Sequence, residues 1–384
     1  MQALKMTKKT YKKYAWVLVV TLILIGFFYG FMSGAYRYWP YEILQTNYKK
    51  FISNEYDLIY EEIDPLYEKT DVSALIKIKN ENDILGKRKK LIQYIWKGKG
   101  FPKSFFPKEI ESGIEDNKYL DIDNLKSIDK LTIQMDHDIN SISYHFQPIK
   151  RNNNLVIYHQ GHLGDFILGK RTIQFFLDEG YDVIALSMPL IGMNNKPVVE
   201  LPSFGTVKLS SHNHFELLET KSFSPISIFL DPVAASVNYA VKNFEFDSII
   251  MVGISGGGWT TTLYSAIDTR IDKSYPVSGT VPIYLRSIRD LGDYEQVESE
   301  LYKIANYPEL YILGGYGKAR GQVQIVNKFD DCCFAGINYQ TYEDEVKAAL
   351  AELEGNFRVY LDETHKEHKI SVNALNAIKE DLET

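Results

Sequence analysis

A serine with a glycine two residues away on each side, Gly253-Ile254-Ser255-Gly256-Gly257, directly follows the apolar run Ser248-Ile249-Ile250-Met251-Val252 and opens onto Gly258-Trp259. This is the G-x-S-x-G pattern of a nucleophile elbow. A sharp strand-to-helix turn pushes the serine hydroxyl out at the top of a sheet, and its strained backbone tolerates only small residues on either side. A serine hydroxyl is a weak nucleophile unless a neighbouring base takes its proton. The oxyanion that forms on attack also needs hydrogen-bond donors already in place. Ser255 as nucleophile therefore requires an acid, an imidazole and two N–H groups elsewhere in the chain.

The elements around the serine alternate in a way that could bring such groups together. Thr132-Ile133-Gln134-Met135 and Ile142-Ser143-Tyr144-His145-Phe146 flank Asp136–Ser141 as the arms of a hairpin. A strand at Leu155–Tyr158 follows, then a helix near Lys170–Leu177 ending at Gly180, a strand at Tyr181–Met188, a helix around Asp231–Asn243 and the elbow strand. After the elbow, period-two alternation marks strands at Gln322–Phe329 and Phe357–Leu361. Ser371 is positioned to cap a helix carrying Val372, Leu375, Ile378 and Leu382. Alternating strands and helices of this kind make a doubly wound, mostly parallel sheet, the α/β class.

From about residue 115 to the C-terminus, the elbow and this element order resemble an α/β-hydrolase of the esterase type. Within that superfamily, Ser255-Gly256-Gly257-Gly258-Trp259-Thr260-Thr261 followed by Ala266-Ile267-Asp268-Thr269-Arg270-Ile271 is similar to acetyl-esterase and dienelactone-hydrolase-like branches. The resemblance implies cleavage of a carboxylic ester with a modest acyl group, through an acyl-enzyme and without a cofactor.

The superfamily's chain order, nucleophile then acid then histidine, selects among the eight histidines. Only His365 and His368 follow Ser255. His368 is preferred because it adjoins the helix start, and His365 stays as the alternative. The acid should leave the carboxyl end of a later strand, and Asn327-x-x-Asp330 resembles the G-x-x-D that places it there; Asp330 is preferred, with Asp331 as the alternative. The oxyanion donors implied are the backbone N–H of Gly256 and one from the turn Gln160-Gly161-His162, assigned to His162. The side chains of His159 and His162 form an H-x-x-H pair without cysteine or carboxylate at ligand spacing, so no metal is expected.

The N-terminus carries a second signal. Residues 15–35 contain no charge, and at 1.5 Å rise per residue they are long enough for a bilayer core of about 30 Å. Lys5, Lys8, Lys9, Lys12 and Lys13 precede them with no acidic residue, which keeps residues 1–14 in the cytoplasm and puts the rest of the chain on the far side. A transmembrane signal anchor is the preferred reading. Ser33-Gly34-Ala35 is the competing one, as the cleavage site of a signal peptide that would leave the protein secreted.

Residues 36–114 read as a mainly helical extension, with one helix across Tyr41–Ile59 and another across Leu85–Trp96 ending at Gly98, ahead of a hydrolase domain at 115–384. Region 282–309 sits where this fold often carries inserted caps; a surface excursion between strands is the plain alternative. A net charge of −7 excludes a nucleic-acid partner as an expectation. The only cysteines, Cys332 and Cys333, are adjacent; two reduced, buried side chains are expected over a vicinal disulfide. The expected partner is a small-molecule or glycan-borne ester. A peptidase of the same fold, or a catalytically silent binding module, are the other functions compatible with these residues.

Overall fold

The computed structural model describes residue 16, residues 18–30, residue 60, residues 62–286 and residues 291–383. Residues 59–384 form one compact unit and residues 1–58 another. In the first unit, residues 18–30 are helical and every one of them is exposed. Among the described residues no helix is long and apolar enough to cross a membrane. The rest of the 15–35 segment, its basic flank and the helix expected over Tyr41–Ile59 lie outside the described residues.

The large unit is built on a nine-stranded sheet in the order β1 (Glu109–Glu111), β2 (Leu125–Gln134), β3 (Asn140–Pro148), β5 (Asp182–Leu186), β4 (Asn154–His159), β8 (Ser248–Ile254), β9 (Lys273–Val277), β10 (Gly321–Asn327) and β11 (Phe357–Asp362). The first three strands pair antiparallel and the remaining six are mutually parallel. The hairpin β2–β3 and the strands read from the sequence all appear, but β2 begins at Leu125, well before the arm expected from Thr132. A two-stranded ribbon, β6 (Val198–Leu201) with β7 (Gly205–Lys208), lies outside the main sheet.

Alternation along each strand divides the core between two faces. Leu155, Ile157, Ile249 and Met251 enter one cluster, and Val156, Tyr158, Ile250 and Val252 enter the other. The first face is covered by α1 (Glu81–Ile95), α3 (Ile226–Asn243), α4 (Gly256–Ile267), α5 (Tyr307–Gly315) and α6 (Glu343–Ala351), the second by α2 (Lys170–Asp178) and α7 (Val372–Leu382). Helix α1 is the one expected over Leu85–Trp96, and it ends near Gly98, which sits at φ 81°. Its Ile84, Leu91 and Ile95 are fully buried in the same cluster as residues of α4, and β1 extends the sheet.

Strand order reverses at β4. The chain runs from β4 to β5 on one side, and β8 pairs on the other, with His159 opposite Gly253. In an open parallel sheet the loops leaving two such strands part in opposite directions and leave a crevice at their carboxyl ends, where ligands bind. The loop after β4 and the turn after β8 are therefore neighbours for topological reasons.

Candidate active site

Ser255 closes β8 and precedes α4, at φ 57° and ψ −126°. A residue with a Cβ holds such angles only where its surroundings impose them, at a cost of roughly 1–3 kcal/mol. The imposing contacts are visible. A Cβ on Gly253 would lie 2.2 Å from the Gly257 carbonyl oxygen, and one on Gly257 would lie 2.1 Å from that of His159, so both flanking positions must be glycine. The Ser255 N–H is held by the Val277 carbonyl at 2.9 Å, which ties the turn to β9.

The loop after β4 passes directly over this turn. A Cβ on Gly161 would come within 2.4 Å of Ser255 Cβ and 3.1 Å of its Oγ, and the His162 ring and Met188 close over Gly256 in the same way. Gly256 opens α4, whose N-terminal amides and dipole favour negative charge beside Ser255. The two backbone segments expected to supply oxyanion donors, Gly256 and the Gly161–His162 turn, are thus packed against the serine.

Two histidine–carboxylate pairs lie on the loops after β10 and β11. His368 Nδ1 is 2.7 Å from Asp330 Oδ2, with both side chains buried. The other Asp330 oxygen accepts the N–H groups of Cys332 at 2.9 Å and Cys333 at 3.3 Å, and Asn327 Nδ2 donates to Oδ2 at 3.3 Å. Burial alone would raise the Asp330 carboxyl; the hydrogen bond and charge of His368 and the two backbone donors outweigh it and hold it below its usual range. His368 Nε2 is buried and has no hydrogen-bond partner among the described residues. An imidazole oriented by a carboxylate on Nδ1, with its other nitrogen open, has the arrangement a general base requires.

The alternatives fall elsewhere. His365 Nδ1 lies 3.6 Å from Asp362 Oδ2, and Asp362 also accepts from Thr364 and Ser371. Burial would lower the His365 imidazole, but Asp362 raises it overall, and the same carboxylate ties the loop to the start of α7 through Ser371. Asp331 is exposed, and its N–H bonds to the Lys366 carbonyl. The cysteines correct the sequence expectation: Cys332 and Cys333 are joined as a vicinal disulfide rather than reduced and buried, with Cys332 exposed, in the turn whose N–H groups bind Asp330.

The H-x-x-H pair does not act as a unit. His159 is 1% exposed, donates from Nδ1 to the Gln160 carbonyl at 2.9 Å, and is pushed down to about 4 by burial. His162 turns instead toward three residues the sequence did not single out. Its Nε2 lies 3.0 Å from Glu295 Oε1, 3.2 Å from His212 Nδ1 and 3.4 Å from Asp293 Oδ2. Burial would raise Glu295, but His212 and His162 pull it down to about 2. The described part of region 282–309 is accordingly not a plain surface excursion: Glu295, Leu301 and Tyr307 are buried, and Glu295 meets His162 on the turn after β4. No local spacing could have disclosed this cluster, since its members come from three separate loops.

Neither a protein-family model nor a curated protein matches the sequence. Among solved structures, the fold is similar to an acetyl xylan esterase from Paenibacillus sp. R4, with a TM-score of 0.52 and 14% identity over 81% of this chain and 98% of that one. Acetyl xylan esterase 1 from Thermoanaerobacterium sp. JW/SL YS485 superposes with a TM-score of 0.53 and 13% identity over 84% of this chain and 98% of that one. A methylesterase gives a TM-score of 0.53 and 14% identity over 80% of this chain and 65% of that one. At such identities the likeness is one of architecture, and the architecture is that of the α/β-hydrolase fold.

Proposed function

We propose that this chain is a serine hydrolase that cleaves a carboxylic ester through an acyl-enzyme on Ser255. One observation carries the reading: a serine held at φ 57° on a strand-to-helix turn, on the same sheet edge as a buried histidine whose Nδ1 is 2.7 Å from a buried aspartate. In the proposed reaction His368 Nε2 takes the Ser255 proton as Oγ attacks the acyl carbon. The Gly256 and His162 N–H groups receive the oxyanion. The protonated imidazole then hands its proton to the departing alcohol, and water repeats the sequence to release the acid. Asp330 keeps the imidazole in the required tautomer and stabilises its charge.

Gly161, His162 and Met188 press closely on Ser255 and Gly256, which favours a small acyl group. The similar structures include acetyl xylan esterases, so an acetyl ester borne on a glycan is the substrate class proposed. The test is labelling with a fluorophosphonate probe. Wild type should label and Ser255→Ala should not, and short-chain p-nitrophenyl esters should turn over where peptides do not. Equal labelling of both proteins, or of neither, overturns the assignment.

Export with retention at the membrane is part of the same proposal. It is supported by the uncharged run 15–35 behind five lysines and by the exposed apolar side chains of the described helix, from 46% for Val19 to 75% for Phe27. Such a protein stays in the membrane fraction after carbonate washing, with its C-terminus accessible from the non-cytoplasmic side. A soluble mature form beginning at Tyr36 would show that 33–35 is a cleavage site instead.

A further inference from the structure

The cluster beside the oxyanion turn has the dimensions of a coordination shell. Four atoms converge: His162 Nε2, His212 Nδ1, Glu295 Oε1 and Asp293 Oδ2. Five of the six distances among them are 3.0, 3.2, 3.4, 3.5 and 3.8 Å, and all four atoms lie within 4.8 Å of one another. A tetrahedral ion with nitrogen and oxygen ligands at about 2.0–2.1 Å has ligand–ligand edges of about 3.3 Å. The observed spread brackets that value.

Hydrogen bonding alone does not account for the arrangement. His162 Nε2 carries at most one proton, yet three acceptor-type atoms stand within 3.4 Å of it. His212 Nε2 donates to the Pro189 carbonyl at 2.8 Å, the contact that turns Nδ1 toward the cluster. Metal-bound histidines are oriented by a carbonyl on the far nitrogen in the same way. Glu295 is 0% exposed and its second oxygen, Oε2, is buried without a partner among the described residues, an arrangement that costs free energy unless something further binds there. His212 is also buried, whereas the Asp293 side chain is 43% exposed, so the cluster is walled on one side and open to solvent on the other.

We infer that His162, His212, Asp293 and Glu295 bind a divalent transition-metal ion of the zinc class. Two imidazoles with two carboxylates suit such an ion, while calcium takes six to eight oxygens and magnesium keeps several waters. The ion would tie the turn that lies over Ser255 to the segment at 293–295, and through the His162 ring, which packs on Gly256, it would hold the proposed oxyanion turn in place. This role rests on the function proposed above, but binding itself does not.

The test uses the full chain, stripped with a chelator and titrated with zinc against a chromophoric competitor. One equivalent should bind with a dissociation constant below about 1 μM. Glu295→Gln and His212→Gln should each weaken binding roughly 100-fold or more. X-ray absorption on the loaded protein should report nitrogen and oxygen ligands with no sulfur. Ser255→Ala must bind zinc like wild type, so failure of the esterase reading would leave this result untouched. If Glu295→Gln does not fold, the partly exposed Asp293→Asn and His162→Gln replace it. The Cys332→Ser/Cys333→Ser double variant should also keep its zinc, because the ligand atoms of Cys332, Cys333 and His368 form the one other convergent group among the described residues. Absence of binding at micromolar zinc, binding that survives loss of Glu295 in folded protein, or a sulfur ligand would each overturn the proposal.

Discussion

His368 Nδ1 and Asp330 Oδ2 meet at 2.7 Å across 38 residues of sequence, while the next histidine on the same loop, His365, is spent on Asp362. The two pairs share a loop but not an environment. The Asp330 carboxylate is wrapped by backbone N–H groups on its other oxygen, and His368 keeps an open buried nitrogen. His365 serves the strand-to-helix connection, where Asp362 also receives the hydroxyl of Ser371, the cap of α7.

From this division, His368→Ala should lower kcat by several powers of ten, because both proton transfers are lost. His365→Ala should keep most of the rate and lose stability instead. Asp330→Asn should lower kcat on the order of 10⁴-fold by favouring the wrong tautomer, with Asp331→Asn near wild type. Steady-state kinetics on one short-chain ester, with melting temperatures for each variant, checks all four. A dead His365→Ala beside an active His368→Ala would reverse the roles.

Ser255 stores strain that a glycine would not. At φ 57° and ψ −126° a Cβ is disfavoured, so Ser255→Gly should be more stable than Ser255→Ala by about 1 kcal/mol or more, although both are inactive. Chemical denaturation of the two variants makes the comparison. Equal stability would mean that the turn is not strained.

Gly161→Ala should damage catalysis although it removes no side chain of the proposed machinery. Its Cβ would fall 2.4 Å from Ser255 Cβ and 2.7 Å from the Ile254 carbonyl oxygen, so the loop must lift. Displacing one oxyanion donor costs roughly 10²–10³ in kcat. The rate of fluorophosphonate labelling should fall in step, and an unchanged rate would show that the turn does not serve the oxyanion.

Asp231 supplies a pH signature away from the site. Burial raises its carboxyl to about 7, against the opposing hydrogen bond from Trp96 Nε1 at 2.7 Å. A folded-state value above the unfolded one means that the folded protein holds the extra proton. The associated stability is therefore complete below pH ~4 and is lost as pH rises through about 7, by at most about 4 kcal/mol. Asp231→Asn, which keeps an oxygen for Trp96, should remove that part of the slope and gain on wild type between pH 5 and 8. Denaturant unfolding at the two pH values checks it; parallel pH profiles would contradict it.

The sequence by itself determined the elements and the chemistry carried locally by them. Period-two runs and caps gave the strands and helices their positions, and G-x-S-x-G marked Ser255 as the candidate nucleophile because its requirement, two glycines beside a left-handed serine, is satisfied within five consecutive residues. Chain order then narrowed acid and base to two candidates each. What only the tertiary structure decided were relations between distant residues. Asp330 was separated from Asp331 by which carboxylate the turn after β10 buries, and His368 from His365 by which carboxylate each imidazole meets. The vicinal cysteines, joined as a disulfide, lie in the turn around Asp330. The cluster of His162, His212, Asp293 and Glu295 had no sequence signature, because its geometry arises only when the crevice beside β4 brings three loops together. Spacing along a chain encodes contacts within a turn or a strand pair; contacts across more than a hundred residues are fixed by packing.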